Sequence, residues 1–245
     1  MNEASVPPPG SAGRIRRSRV QVEPSSLHHP LARALLVLTF TTGLIDAVSY
    51  LGLGQVFTAN MTGNIVFLGF GIAGSGGLPV VAPLVSLGFF LLGAGTGGVL
   101  TKRLAKRHPS HLARALAIEV ALITTGLILA LAIDVRPDQV SGYVVIALLA
   151  LAMGVRNATV RRIGLPDLTT TVLTMTLTGL ASESPPAGGT GEGSVRRVAA
   201  VLAMLTGAIS GALLLKTDLA LPLAAAAILA LLTWLFYIPA ARRSA

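Results

Sequence analysis

One acid, three amides and several hydroxyls share a short stretch of an otherwise apolar chain: Asp46, Ser49, Tyr50, Gln55, Thr58, Asn60, Thr62 and Asn64. In hydrocarbon an unpaired polar group costs several kcal/mol, so such a cluster must face protein or a watery cavity. If a helix breaks here, free backbone N–H and C=O groups join the side chains around Asn60, Thr62, Gly63 and Asn64. Together they can replace the hydration shell of an ion or small solute. The alternative is a helix-packing seam in which the same residues satisfy one another.

Asp46 carries most of that chemistry. An ionisable group deep in a span is expensive, which makes it a candidate to carry a coupling proton; its other reading is a structural, hydrogen-bonded acid. Glu119, between Ile118 and Val120, is a second proton-coupling candidate that could relay protons to Asp46 or bind a cation; its other readings are that it snorkels or hydrogen-bonds a neighbouring Ser or Thr. Arg156 and Asn157 stand where a second copy of the Asp46 segment would put them. Arg156 either meets Asp46 as a gating ion pair or reaches to the membrane surface. Thr170 and Thr174, in a Thr-rich run, are expected to line the same polar path, although Thr hydroxyls also bond back to their own helix.

The elements that position these residues follow from composition. With 53% hydrophobic and 12% charged residues in 245, and a mean hydropathy of +0.75, the chain is an all-α integral membrane protein. Apolar runs fall at about 31–53, 56–73, 78–100, 112–133, 140–155, 168–180, 195–215 and 219–238. A span needs about 20 apolar residues, and the second and sixth runs are too polar for that. They read as short broken or re-entrant helices beside six transmembrane helices. Basic residues test the idea: if both runs re-enter and the amino terminus is inside, only Arg136 and Lys216 fall outside. If both span, the charges divide almost evenly, against the positive-inside rule. Both termini are therefore expected in the cytoplasm.

Three spans plus one re-entrant segment per half give an inverted repeat of about 31–133 and 140–238, a design of secondary transporters. Asp46 then matches Asn157, and Thr58 matches Thr169. Gly93 and Gly97 recur as Gly207 and Gly211; such pairs let helices approach closely. Their placement suggests that the two helices cross at the repeat axis, with a homodimer interface as the alternative.

Other classes find little support. There is no metalloprotease or nucleophile-elbow motif, and the chain is read as a non-enzyme without cofactor or metal. His28 and His29, just before the membrane, read as a solvated pair. Zero Cys excludes a disulfide framework. The net charge of +9 reflects topology and anionic lipid rather than nucleic acid. Residues 1–30 read as a disordered basic cytoplasmic tail, and 182–194 as a flexible cytoplasmic linker.

The stretch GLIDAVSYLGLGQVFTANMTGNIVFLG resembles the YoaK-like family of bacterial multi-pass membrane proteins. Gly43, Asp46, Ser49, Tyr50, Thr62, Gly63 and Asn64 carry the pattern. Similarity extends through GVRNATVRRIG and the Thr run, over about 31–238. Arg156 stands where a Gln-like residue is expected, and TMTLTG replaces a plain Thr-Gly step. The resemblance implies a bacterial inner-membrane protein and names no substrate. The residues add the expectation of a permease for a small solute or ion, with the lipid bilayer as its surroundings. A non-transporting membrane scaffold is the alternative.

Overall fold

The computed structural model describes residues 27, 29–103, 108–164, 168, 170, 171, 173–237, 239 and 240. The expectations for the tail up to residue 26, for His28 and for Thr169 lie outside the described residues.

Those residues fold into helices and turns, with no strand among them. In chain order the α-helices are α1 (Pro30–Ala47), α2 (Met61–Ile72), α3 (Val81–Arg103), α4 (His108–Ala132), α5 (Val140–Ile163), α6 (Thr174–Ser182), α7 (Ser194–Leu215) and α8 (Ala220–Leu232). Local chemistry sets several ends. Pro30 opens α1, where its missing N–H costs nothing, and His29 Nδ1 accepts the Leu31 N–H at 3.2 Å. Two residues after Asp46 the helix widens into a π-helical turn, Val48–Gly52, and then unwinds. α5 stops at Gly164, whose φ of 69° suits a residue without a Cβ.

Among the described residues, five helices are long and apolar enough to cross a membrane: Pro30–Gly52, Val81–Leu100, Ala113–Ala132, Val140–Ile163 and Ser194–Leu215. The sixth expected span is a shorter apolar helix, Ala220–Phe236, completed by a second π-helical turn. The polar runs do break. α2 and α6 have 12 and 9 residues, so at 1.5 Å per residue they rise only about 18 and 14 Å. A hydrocarbon core is about 30 Å thick.

α1 and α5 are the central pair, with 72% and 67% of their apolar windows buried against 17–28% for α3, α4 and α7. α1 packs against α7 and α8, and α5 against α3 and α4; α4 also meets α8, while α2 lies on α3 and α6 on α7. Glycines decide the closest crossings. A Cβ on Gly207 would strike the Phe40 carbonyl, and one on Gly43 the Met204 carbonyl, so α1 and α7 touch backbone to backbone. Gly93 meets the Leu151 carbonyl and Gly154 the Phe90 carbonyl in the same way between α3 and α5. Gly97 and Gly211 lie one turn further on, against Val155 and Leu44.

This corrects one expectation: the glycine pairs of α3 and α7 do not bring those helices together, because each pair faces the first helix of the opposite half. The small surfaces that receive them are Gly154 and Gly43. These glycines are thus occupied within one chain, and they give a homodimer no support.

The 182–194 stretch also differs from the flexible linker expected of it. Pro185–Ala187 forms a 3₁₀ turn, Gly189 N donates to Ser184 O at 3.0 Å, and Gly191 N donates to Glu183 O at 2.9 Å. Arg197 then fastens the turn to α7, donating to Gly179 O at 3.0 Å and to Glu183 Oε2 at 2.5 Å. The glycines that suggested looseness instead permit sharp reversals, with Gly188, Gly191 and Gly193 all at positive φ.

Candidate functional site

A cavity of about 980 Å³ opens where the short helices α2 and α6 approach α1, α5 and α7. Its polar lining comes from both halves: Asp46, Tyr50, Asn60, Thr62 and Gly63 from the first, Asn157, Thr171 and Thr174 from the second. Apolar side chains of α7, among them Met204 and Ile209, form one wall. The amino-terminal ends of α2 and α6 both border the space, because unwinding precedes each short helix. Asn60 caps α2, its Oδ1 accepting from Gly63 N at 3.4 Å, whereas α6 has no side-chain cap.

Each central helix holds its unwound segment with one polar side chain. Asp46, in the last turn of α1 and buried, accepts the Ala59 N–H at 3.2 Å through Oδ1. On α5, Asn157 Oδ1 accepts from the Thr171 hydroxyl at 2.6 Å while its Nδ2 donates to Met153 O at 3.0 Å. Each unwound segment also holds one non-glycine residue in the left-handed region, Gln55 at φ 56° and Thr170 at φ 65°. Such backbone is costly and persists only where its surroundings hold it.

Four residues expected to bind solute do not line the cavity. Asn64 turns away from it and laces the unwound segment to α3. Its Oδ1 accepts from Phe57 N at 2.9 Å, and its Nδ2 donates to Phe57 O at 2.6 Å and to Ser86 Oγ at 3.1 Å. Ser49 is buried with its hydroxyl on Asp46 O at 3.3 Å. Thr170 is buried within the second unwound segment; its hydroxyl has no hydrogen-bond partner, and neither has that of Thr58 in the first.

Arg156 is the fourth, and it neither pairs with Asp46 nor reaches the surface. It is fully buried, and Glu119, fully buried on α4, takes Nε at 2.9 Å and also receives Nη2. Nη1 donates to Leu38 O and to Thr42 Oγ1, both at 2.7 Å, and Nη2 donates to Thr41 Oγ1 at 2.9 Å. A guanidinium has five N–H groups, and here each has an acceptor. The charge of Arg156 acts on Asp46 at longer range, but its bonds join α1, α4 and α5. Glu119, with both oxygens on Arg156, serves an ion pair within the fold and does not border the cavity.

The sequence reading missed the aromatic wall. Tyr50 stacks on Phe57 at 5.0 Å between ring centroids, Phe57 on Phe67 at 5.8 Å, and Tyr50 meets Phe67 at 5.9 Å. All three rings border the cavity, as does Phe90. Rings flanking a polar break were the available signal; nothing in their spacing distinguishes a lipid-facing Phe from a cavity-facing one.

The lacing by Asn64 makes a local prediction. Asn64→Ala removes the acceptor for the partly buried Phe57 N–H, at a cost of about 1 kcal/mol. Hydrogen exchange over 53–60 should accelerate while that of α1 stays slow; unchanged exchange in the segment would show that Asn64 does not hold it.

The family described as "Protein of unknown function (DUF1275)" matches residues 34–236. The chain belongs to the DUF1275 family. It is also 33% identical over 150 residues to the "UPF0700 transmembrane protein YoaK" of Bacillus subtilis (strain 168), a match covering 61% of this chain and 65% of that protein. The chain thus spans a little under two thirds of that relative. No solved structure matches. Membership agrees with the resemblance carried by Gly43, Asp46, Ser49, Tyr50 and the Thr62-Gly63-Asn64 step, and the chain is a membrane protein of that family.

Proposed function

We propose that this DUF1275 protein is a secondary transporter or permease for a small solute or ion, coupled to protons through Asp46, and not an enzyme. The observation that carries the reading is the shared cavity. Two broken helices, one from each half, turn their amino-terminal ends to one space that contains a buried carboxylate. Discontinuous helices meeting between repeats are how many carriers build a solute site. The packing scheme supports an inverted repeat: exchanging α1 with α5, α2 with α6, α3 with α7 and α4 with α8 turns the α1–α7 contact into α5–α3. The same exchange turns α1–α8 into α5–α4 and α2–α3 into α6–α7. A bacterial inner-membrane location with both termini cytoplasmic follows from the basic loops and the bacterial relative. The Asp46–Ala59 bond also favours a second reading, a membrane scaffold in which the acid is structural.

Alternating access separates the two readings without a known substrate, and a chain with no native Cys suits it. Thr62→Cys places a thiol in the cavity wall. A transporter exposes it to a membrane-impermeant maleimide in right-side-out and in inside-out vesicles alike. Labelling from one side only, with the protein intact, would leave the scaffold reading in place.

A further inference from the structure

We infer that the cavity takes a bulky organic cation, a lipophilic ammonium or phosphonium, which exchanges with a proton at Asp46. The inference rests on the transporter reading and adds its substrate class. Four observations lead to it. Asp46 and the Tyr50 phenol are the only titratable side chains that line the cavity, and no Lys or Arg stands within ion-pair distance of Asp46 among the described residues. Arg156, on the facing central helix α5, has every donor engaged by Glu119, Leu38, Thr41 and Thr42. A buried carboxylate without a counter-ion is costly, so it is neutralised by a proton or by a charge brought by the ligand. Next to it stands a wall of stacked rings, Tyr50, Phe57 and Phe67, whose faces attract cations.

Size and surroundings narrow the class. A bare inorganic cation needs several oxygens close around it; of the polar groups that line this space of about 980 Å³, Asn60 Oδ1 is taken by Gly63 N and Asn157 Oδ1 by the Thr171 hydroxyl, and the rest are divided between the two halves. A small anion would be drawn by helix amino-terminal ends, but that of α2 is capped by Asn60, the uncapped α6 has only 9 residues, and an ionised Asp46 repels it. The charged and titratable groups that face Asp46 are few. From α5 comes Arg156, neutralised by Glu119 of α4, and from its own helix Tyr50. α7 presents apolar side chains at the cavity, with Arg197 turned to Glu183 instead, and α8 has no titratable residue. One cation entering and one proton leaving keeps the buried charge constant.

The test uses the full chain in lipid nanodiscs with tetraphenylphosphonium as probe and tetraphenylborate, of the same shape and opposite charge, as control. Expected are saturable binding of the cation, at least tenfold weaker binding of the borate, and one proton released per cation bound in weakly buffered solution. Asp46→Asn keeps an acceptor for Ala59 N, and so the fold, but should weaken phosphonium binding by tenfold or more and abolish proton release. Asp46→Glu should retain both. Equal binding of the two probes, or full binding by a folded Asp46→Asn, would overturn the inference by reducing it to apolar adsorption. Absence of cation binding in a protein whose Thr62→Cys variant labels from both sides overturns the substrate class alone. One-sided labelling removes the transporter reading, whatever binds.

Discussion

Arg156→Met should destabilise the protein by about 3–5 kcal/mol, the usual penalty for stranding one partner of a buried ion pair. The total available to a domain is about 5–15 kcal/mol, so this variant should melt far lower in detergent or fail to accumulate. The cost is the desolvated Glu119 left behind; the Leu38 carbonyl, which Arg156 also reaches, keeps the Thr41 and Thr42 hydroxyls as donors. The double variant is the sharper test. Arg156→Met with Glu119→Gln removes both charges and should recover most of the loss, while Arg156→Lys, with three donors in place of five, should fall between. Melting followed by circular dichroism ranks the four proteins. A double variant no more stable than Arg156→Met alone would mean that the ion pair is not what the single substitution breaks.

Gly43→Val should be as damaging for a different reason. The atoms its side chain would meet are the Met204 carbonyl oxygen and the Ala208 amide nitrogen, which are backbone and cannot swing aside. Overpacking a tight site costs about 1–3 kcal/mol even where side chains yield, and here α1 must separate from α7. Gly154→Val should do the same to α5 and α3, its Cβ striking the Phe90 carbonyl. Gly88→Val in α3 is the control, since nothing lies within 4 Å of its Cβ. Monodisperse yield on size exclusion should be near wild type for Gly88→Val and collapse for the other two. Equal yields for all three would contradict the crossings.

The features legible in sequence were those that violate hydrocarbon. Polar residues in the 56–73 and 168–180 runs announced breaks, and α2 and α6 are indeed short. Asp46, Asn60, Thr62, Asn157 and Thr174, read as site residues because they were out of place in an apolar segment, do border one cavity. The same logic misassigned Asn64 and Thr170, since a polar group can satisfy itself on a neighbouring unwound backbone as well as on a ligand; only the fold distinguishes them. Arg156 and Glu119 are 37 residues apart on different helices, and pattern alone does not pair a cation with an acid at that separation. The glycine pairs revealed that two helices pack closely but not against what, because small-residue spacing describes only one side of an interface.

The order in which the buried ion pair is made has a bearing on biogenesis. Glu119 leaves the ribosome 37 residues ahead of Arg156, which at about 5–20 residues per second is a delay of seconds. During that interval α4 carries an acid whose counter-ion has not been synthesised, and releasing it singly into lipid would expose that charge to hydrocarbon. α4 and α5 are therefore expected to leave the translocon together as a hairpin, with α1 retained nearby to supply Leu38, Thr41 and Thr42. A long insertion between Ala132 and Val140 would interrupt that hand-over, although it would touch no residue of the cavity.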